Sequence, residues 1–216
     1  MKILFQKNKQ EILNVLCLGS HCDDIEIGCG GTILKLITEY PNIHFYWVIF
    51  SSNEQRKQEA QKSSSLFLEN VKTKKVIIHN FRDGFLPFFS MEIKDRFEEI
   101  KKEFDPDLIF THYRDDRHQD HRLISELTWN TFRNHLILEY EIPKYDGDLG
   151  IPNFFVNLDK SICQRKLCYI IENFESQKNK QWFDEETFTS LLRLRGIESN
   201  SSTRYAEAFY CRKICF

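Results

Sequence analysis

An α/β fold built on a mainly parallel sheet is predicted by two features of this 216-residue chain. Short runs rich in β-branched and aromatic residues alternate with segments of helical period, the pattern of strands joined by crossover helices. Two of the apolar runs also end in clusters of histidine and aspartate, where open α/β sheets hold their ligands. The arrangement expected is a Rossmann-like three-layer fold with a C-terminal elaboration.

The strands expected first are Asn14 to Gly19, His44 to Ser51, Lys75 to Asn80 and Asp107 to Thr111. Ile33, Leu34 and Ile37, and likewise Leu123, Ile124 and Leu127, recur at helical spacing, so helices should follow the first and fourth strands. Ile93, Phe97, Ile100 and Phe104 mark a further helix. Beyond Asn134, strands are expected over Glu139 to Lys144 and Asn153 to Leu158, around the polar turn Tyr145 to Gly150. Helices over Lys160 to Asn173 and Asp184 to Arg195 and a strand over Tyr205 to Arg212 complete the pattern. We expect one domain over 1–216, with a polar leader at 1–10 and an elaboration from about 136 onward that shapes a substrate pocket.

Composition narrows the function. The chain is 41% apolar, with 30 Lys and Arg against 32 Asp and Glu, and it has no long basic run to neutralise a phosphate backbone. Nucleic acid is not an expected partner. The apolar stretch Phe45 to Phe50 falls far short of the roughly 20 residues that cross a bilayer, and the leader turns polar too early for a secretory signal. A cytoplasmic protein is expected. Cysteines stand at 17, 22, 29, 163, 168, 211 and 215, an odd and scattered set that reads as reduced thiols.

The chemistry lies in two clusters. His21-Cys22-Asp23-Asp24 follows Val15-Leu16-Cys17-Leu18 and precedes Gly28-Cys29-Gly30-Gly31-Thr32; His118-Gln119-Asp120-His121 follows Leu108-Ile109-Phe110. His21 and Asp24, three residues apart on a strand-to-helix turn, can reach one ion, and His121 is the natural third ligand. Two histidines and a carboxylate favour zinc, with iron as a substitute, and leave a position open for water. Asp23 is then placed to act as general base. His118, oriented by Asp120, would stabilise an oxyanion or protonate a leaving amine. The residues therefore predict a mononuclear zinc hydrolase of amides.

Gly28, Gly30 and Gly31 are expected to relieve the turn into a helix beginning near Thr32. A dinucleotide site is disfavoured, because the G-x-G-x-x-G register puts Ile33 at its third glycine and Asp23, Asp24 and Glu26 would repel a pyrophosphate.

These motifs resemble those of the LmbE-like, or PIG-L-type, zinc de-N-acetylases, whose signatures are His-Pro-Asp-Asp with Gly-x-Gly-Gly and His-x-Asp-His. Further echoes are Arg56 with Glu59-Ala60, Asp83 in Phe81-Arg82-Asp83-Gly84, and Tyr205-Ala206-Glu207-Ala208-Phe209. The resemblance spans most of the chain and is patchy from about 136 to 200. It implies His21, Asp24 and His121 as zinc ligands, Asp23 as base, His118 with Asp120 on the oxyanion side, and Arg56 and Asp83 as substrate contacts. It also implies the substrate, a small N-acetylated sugar conjugate with a nucleotide, lipid or other aglycone, deacetylated to acetate and a free amine. Two alternatives are an amidase for a non-sugar amide such as a thiol conjugate, and a non-catalytic glycan-binding module. A homo-oligomer stays open.

Two departures stand out. Cys22 replaces the usual proline, putting a thiol beside the metal and marking an oxidation-sensitive position; Asp116 stands where some relatives have tyrosine, with Tyr113 and Tyr145 as substitutes. His44, His79 and His135 read as ordinary structural residues, while His112, at the end of the fourth strand, lines the pocket or simply faces it. Phe85-Leu86-Pro87-Phe88-Phe89 reads as a buried loop or as an apolar rim for a lipid-linked substrate or a subunit contact. Glu207 reads as an orienter of the metal site or a plain strand residue.

Overall fold

A computed structural model describes residues 11–214, so the polar leader over 1–10 and Cys215 lie outside the described residues. Along the chain, β1 (Leu13–Gly19), α1 (Asp24–Glu39), β2 (Ile43–Ser51), α2 (Glu54–Phe67) and β3 (Thr73–Phe81) wind in one direction. A short turn of 3-10 helix (Leu86–Phe89) and α3 (Ser90–Glu103) then cross to β4 (Leu108–His112), followed by α4 (Gln119–Thr131) and β5 (Leu136–Tyr140). The last third supplies β6 (Phe154–Leu158), α5 (Lys160–Asn173), α6 (Glu185–Glu198) and β7 (Tyr205–Tyr210).

The seven strands form one sheet in the order β3-β2-β1-β4-β5-β7-β6. The first five are parallel; β7 runs antiparallel to both β5 and β6. Period-two alternation on β1 builds the three layers. Val15 and Cys17 join the core beneath α1, α2 and α5, whereas Leu16 and Leu18 join the opposite core with Ile93, Phe97 and Ile124 of α3 and α4. Because β1 has β2 on one side and β4 on the other, the crossovers diverge at their C-terminal ends and open a crevice there. His21 and His112 emerge into it.

Two expectations need correction, and one helix was not foreseen. The first helix begins at Asp24, not near Thr32, so the glycines lie inside it. They serve close packing: a Cβ on Gly28 would fall 2.2 Å from the Tyr140 ring and one on Gly30 2.7 Å from Phe67. The fifth strand pairs over Leu136 to Tyr140, beside Leu108 to His112, rather than over Glu139 to Lys144. Pro143 has no N–H for a ladder, and Glu141 turns away to a buried pair with Arg195. Finally, α2 carries no apolar stripe; its buried face is Arg56, Ala60, Ser63, Ser64 and Phe67, so periodicity gave no sign of it. Among the described residues no helix is long and apolar enough to cross a membrane.

Candidate metal centre

The crevice gathers its side chains from two strand-to-helix junctions. After β1, the His21 amide donates to Asp24 Oδ2 at 2.6 Å, which fixes the carboxylate against the first turn of α1. After β4, the His118 amide donates to Asp116 Oδ1 at 2.8 Å, and His118 Nδ1 accepts the Asp120 amide at 3.3 Å as the N-cap of α4. That cap turns His121 inward. His21 Nδ1 then lies 3.1 Å from His121 Nε2 and 3.4 Å from Asp24 Oδ2, and His121 Nε2 lies 3.6 Å from Asp24 Oδ1. All three residues are at least nine-tenths buried.

These spacings suit a metal. Zinc–ligand bonds of about 2.0–2.1 Å at tetrahedral angles put donors about 3.3 Å apart. Nearby atoms enlarge the donor set: His118 groups with His21 and His121, His112 with Asp24 and His121, and Asp83 and Asp120 with His21. The His112 ring stacks on His121 at 3.9 Å, and its Nε2 lies 3.2 Å from Asp24 Oδ2.

The partners behind the donors were only partly foreseen. Asp120 faces His21, not the His118 ring: its Oδ2 is 3.2 Å from His21 Nε2, and its two oxygens accept the amides of Gly84 and Leu86 at 2.7 and 3.0 Å. Asp83 Oδ1 also lies 3.2 Å from His21 Nε2. Asp116, not anticipated as a partner, accepts from His121 Nδ1 at 2.9 Å and from Lys144 at the same distance. A carboxylate five residues before a histidine carries no motif, and Lys144 comes from the segment after β5, the strand beside β4. Arg56, expected to contact substrate, is buried between Asp23 (2.7 Å) and Asp83 (2.9 Å), donating to both carboxylates.

Electrostatics follow from this crowding. Burial alone would depress the His21 imidazole, but Asp24, Asp120 and Asp83 together raise it well above its ordinary value. Burial, with His112 second, drives His121 down to about 3. Burial opposes ionisation of Asp24, yet the three surrounding imidazoles hold it well below the usual carboxylate range. Burial and the His21 charge also lower His118. Glu26, one turn into α1, is pushed up to about 8 by burial, although Ser63 donates to it at 2.7 Å.

The other candidates separate cleanly. Cys22 is fully buried and its thiol is raised by desolvation, the surroundings of an inert thiol and not of an oxidation-sensitive one. Tyr113 stacks on Tyr210 at 3.9 Å, and Tyr145 is 70% exposed. In the Phe85 to Phe89 segment Leu86 is buried while Phe88 is 80% exposed. Glu207 bonds the middle of α1 and not the metal donors.

The fold is shared with known proteins. Among solved structures, the chain is similar to N,N'-diacetylchitobiose deacetylase from Pyrococcus horikoshii, with TM-score 0.68 and 24% identity, covering 91% of this chain and 82% of that one. A conserved protein from Thermus thermophilus gives TM-score 0.73 at 19% identity, covering 94% and 97%. GalB, the 4-carboxy-2-hydroxymuconate hydratase from Pseudomonas putida, gives 0.70 at 14%, covering 94% and 98%. One architecture thus carries a deacetylase and a hydratase, so the fold by itself does not choose the reaction. The family model described as PIG-L, GlcNAc-PI de-N-acetylase, matches residues 16–132, which hold both histidine clusters and more than half of the sequence. The chain belongs to the PIG-L family.

Proposed function

We propose that this chain is a zinc-dependent hydrolase that removes the acetyl group from an N-acetylated amino sugar, releasing acetate and the free amine. The observation that carries the reading is the approach of the His21 and His121 nitrogens to within 3.1 Å of each other and to 3.4 and 3.6 Å from the two oxygens of Asp24, with Asp23 next to it in the chain. The family description supports N-deacetylation, and the Pyrococcus relative is itself named a deacetylase. We propose the sugar, carried on a nucleotide, lipid or other aglycone, as the substrate class, and the cytoplasm as the compartment.

Bound by those three residues, zinc would supply Lewis acidity, polarising the acetamide carbonyl and lowering the pKa of water to about 7. Asp23 takes a proton from the attacking water, its carboxylate held in place by Arg56 at 2.7 Å. The same proton can pass to the nitrogen as the carbon–nitrogen bond breaks. His118, neutral near pH 7, accepts the Asp120 amide on Nδ1 and so carries its proton on Nε2, from which it can donate to the oxyanion. Asp83, with a side chain 56% exposed, takes the substrate-contact role. Arg56 bridges the base to Asp83, and Asp120 orients His21.

Metal analysis of protein purified without added metal, coupled to acetate release from a panel of N-acetylated sugars and sugar conjugates, tests this reading. About one equivalent of zinc or iron with chelator-sensitive acetate release is the expected result. Metal without acetate release from any sugar would sink the substrate class, and failure to bind metal after reconstitution would sink the centre.

A further inference from the structure

The first helix is entered from the side by a buried ion pair. An α-helix joins each carbonyl to the amide four residues on, which in α1 would couple Ile27 to Gly31. Lys166 of α5 donates to the Ile27 carbonyl at 2.6 Å, while Glu207 of β7 accepts the Gly31 amide at 2.8 Å and the Thr32 amide at 2.6 Å. The two side chains meet at 2.7 Å and are each 3% exposed. Gly31 is required for this entry, because a Cβ there would fall 2.4 Å from Leu158 and 2.9 Å from the Glu207 carboxylate.

The electrical sense of the pair matches its position. Lysine donates to a carbonyl and glutamate accepts from two amides, so each charge meets backbone groups of the matching polarity. The pair therefore grips one continuous helix in its middle, at Ile27, Gly31 and Thr32. The helix opens with Asp24 directly after Asp23, and Ile27 and Gly31 mark the two points at which the pair holds it. Gly28, between them, presses on the ring of Tyr140, whose hydroxyl donates to Leu18 at the end of β1.

A buried ion pair is a poor route to stability, since well-packed apolar side chains of similar volume commonly do as well. Its better-attested use is to specify one arrangement among near alternatives. We propose that Lys166 and Glu207 are positioning residues: by holding the Ile27 carbonyl and the Gly31 and Thr32 amides they fix the placement of α1, and with it the reach of Asp24 and Asp23 toward His121. The C-terminal third of the chain thereby acts on the metal centre without touching it. This inference rests on reading Asp24 as a metal ligand.

The test compares the full chain with Glu207→Gln, which keeps a neutral acceptor, and Lys166→Met, which keeps length without charge. Zinc affinity is read by competition with a fluorescent chelator, and amide hydrogen exchange across residues 24–39 is read in metal-free protein. Both variants are expected to unfold cooperatively, to exchange faster at Ile25 to Thr32, and to bind zinc about tenfold more weakly. A folded variant with unchanged exchange in α1 and zinc affinity within twofold of the unaltered chain overturns the proposal. If the unaltered chain binds no zinc, the metal reading fails and exchange in α1 alone decides: faster exchange upholds the hold of the pair on α1, and changes confined to α5 and β7 refute it. If either single variant fails to fold, the double variant Lys166→Met/Glu207→Gln, which removes both charges, is read by the same two measurements and the same outcomes.

Discussion

Asp116 Oδ2 lies 2.9 Å from Nδ1 of His121, while Nε2 of the same ring faces Asp24 and His21. The carboxylate thus fixes the ring's rotation and puts its remaining lone pair toward the metal donors. Lys144, also 2.9 Å from that oxygen, holds the carboxylate in place. Asp116→Asn should lower zinc affinity about 10- to 100-fold with the fold intact, because it removes the partner that sets the ring's tautomer and basicity. His121→Ala should lose the metal almost entirely. Chelator competition measures both, and an Asp116→Asn affinity within twofold of the unaltered chain would discard this role.

Asp23 and Arg56 make a second separable pair. Asp23→Ala should keep zinc, since His21, Asp24 and His121 remain, yet lose at least about 100-fold in turnover for want of a base. Zinc content and acetate release on the same preparation check this. Near-normal turnover at full metal occupancy would remove Asp23 from the base role. Removing the metal with a chelator should abolish turnover in the unaltered chain, and added zinc should restore it.

Much of this site was legible because its groups stand on chain punctuation. His21, Asp23, Asp24, His118 and His121 all follow strands whose hydrophobic runs are plain, and the topology rule for α/β sheets brings strand ends together. What the sequence concealed were relations across the sheet. Asp120 lies two residues from His118 but spends its carboxylate on His21 and two loop amides. Arg56 has the chemistry of a ligand clamp, but Asp23 and Asp83, 33 and 27 residues away in the chain, occupy it. The helix α2 escaped notice because serines and an arginine form its buried face. The start of α1 was misjudged because glycines near a turn suggest loop, whereas here they admit Tyr140, Phe67 and Glu207 against a helix.

Glu26 gives a pH signature of defined sign. Burial raises its carboxyl to about 8, with Asp23 and Asp24 adding to the shift, against an ordinary value of 4.5. The folded chain therefore binds a proton that the unfolded chain releases above about 4.5. The stability this contributes is fully present below that pH and is lost as pH rises through about 8. His121, held down to about 3, acts oppositely between about 3 and 6.5, but it is common to both proteins compared. Glu26→Gln should therefore gain on the unaltered chain as pH rises from 5 to 8.5, by up to a few kcal/mol. Urea unfolding of metal-free protein across that range measures it. Parallel stability curves would show that Glu26 ionises normally in the fold.

Gly28→Ala sets two helix effects against each other. Alanine is the better helix former by about 1 kcal/mol, and α1 runs through this position. The added methyl, however, would fall 2.2, 2.5 and 2.9 Å from three carbons of the Tyr140 ring, and that ring is held by its hydroxyl bond to the Leu18 carbonyl and by contact with His112. Overpacking of this kind costs about 1–3 kcal/mol, so packing should win and the variant should be destabilised by about 1–2 kcal/mol. For a chain of this size that lowers the melting temperature by about 2–8 °C. Combining Gly28→Ala with Tyr140→Ala, which opens the space, should cost less than the sum of the two single changes, because each relieves what the other creates. Additive losses in a thermal-unfolding cycle would mean that the methyl meets its strain somewhere other than Tyr140.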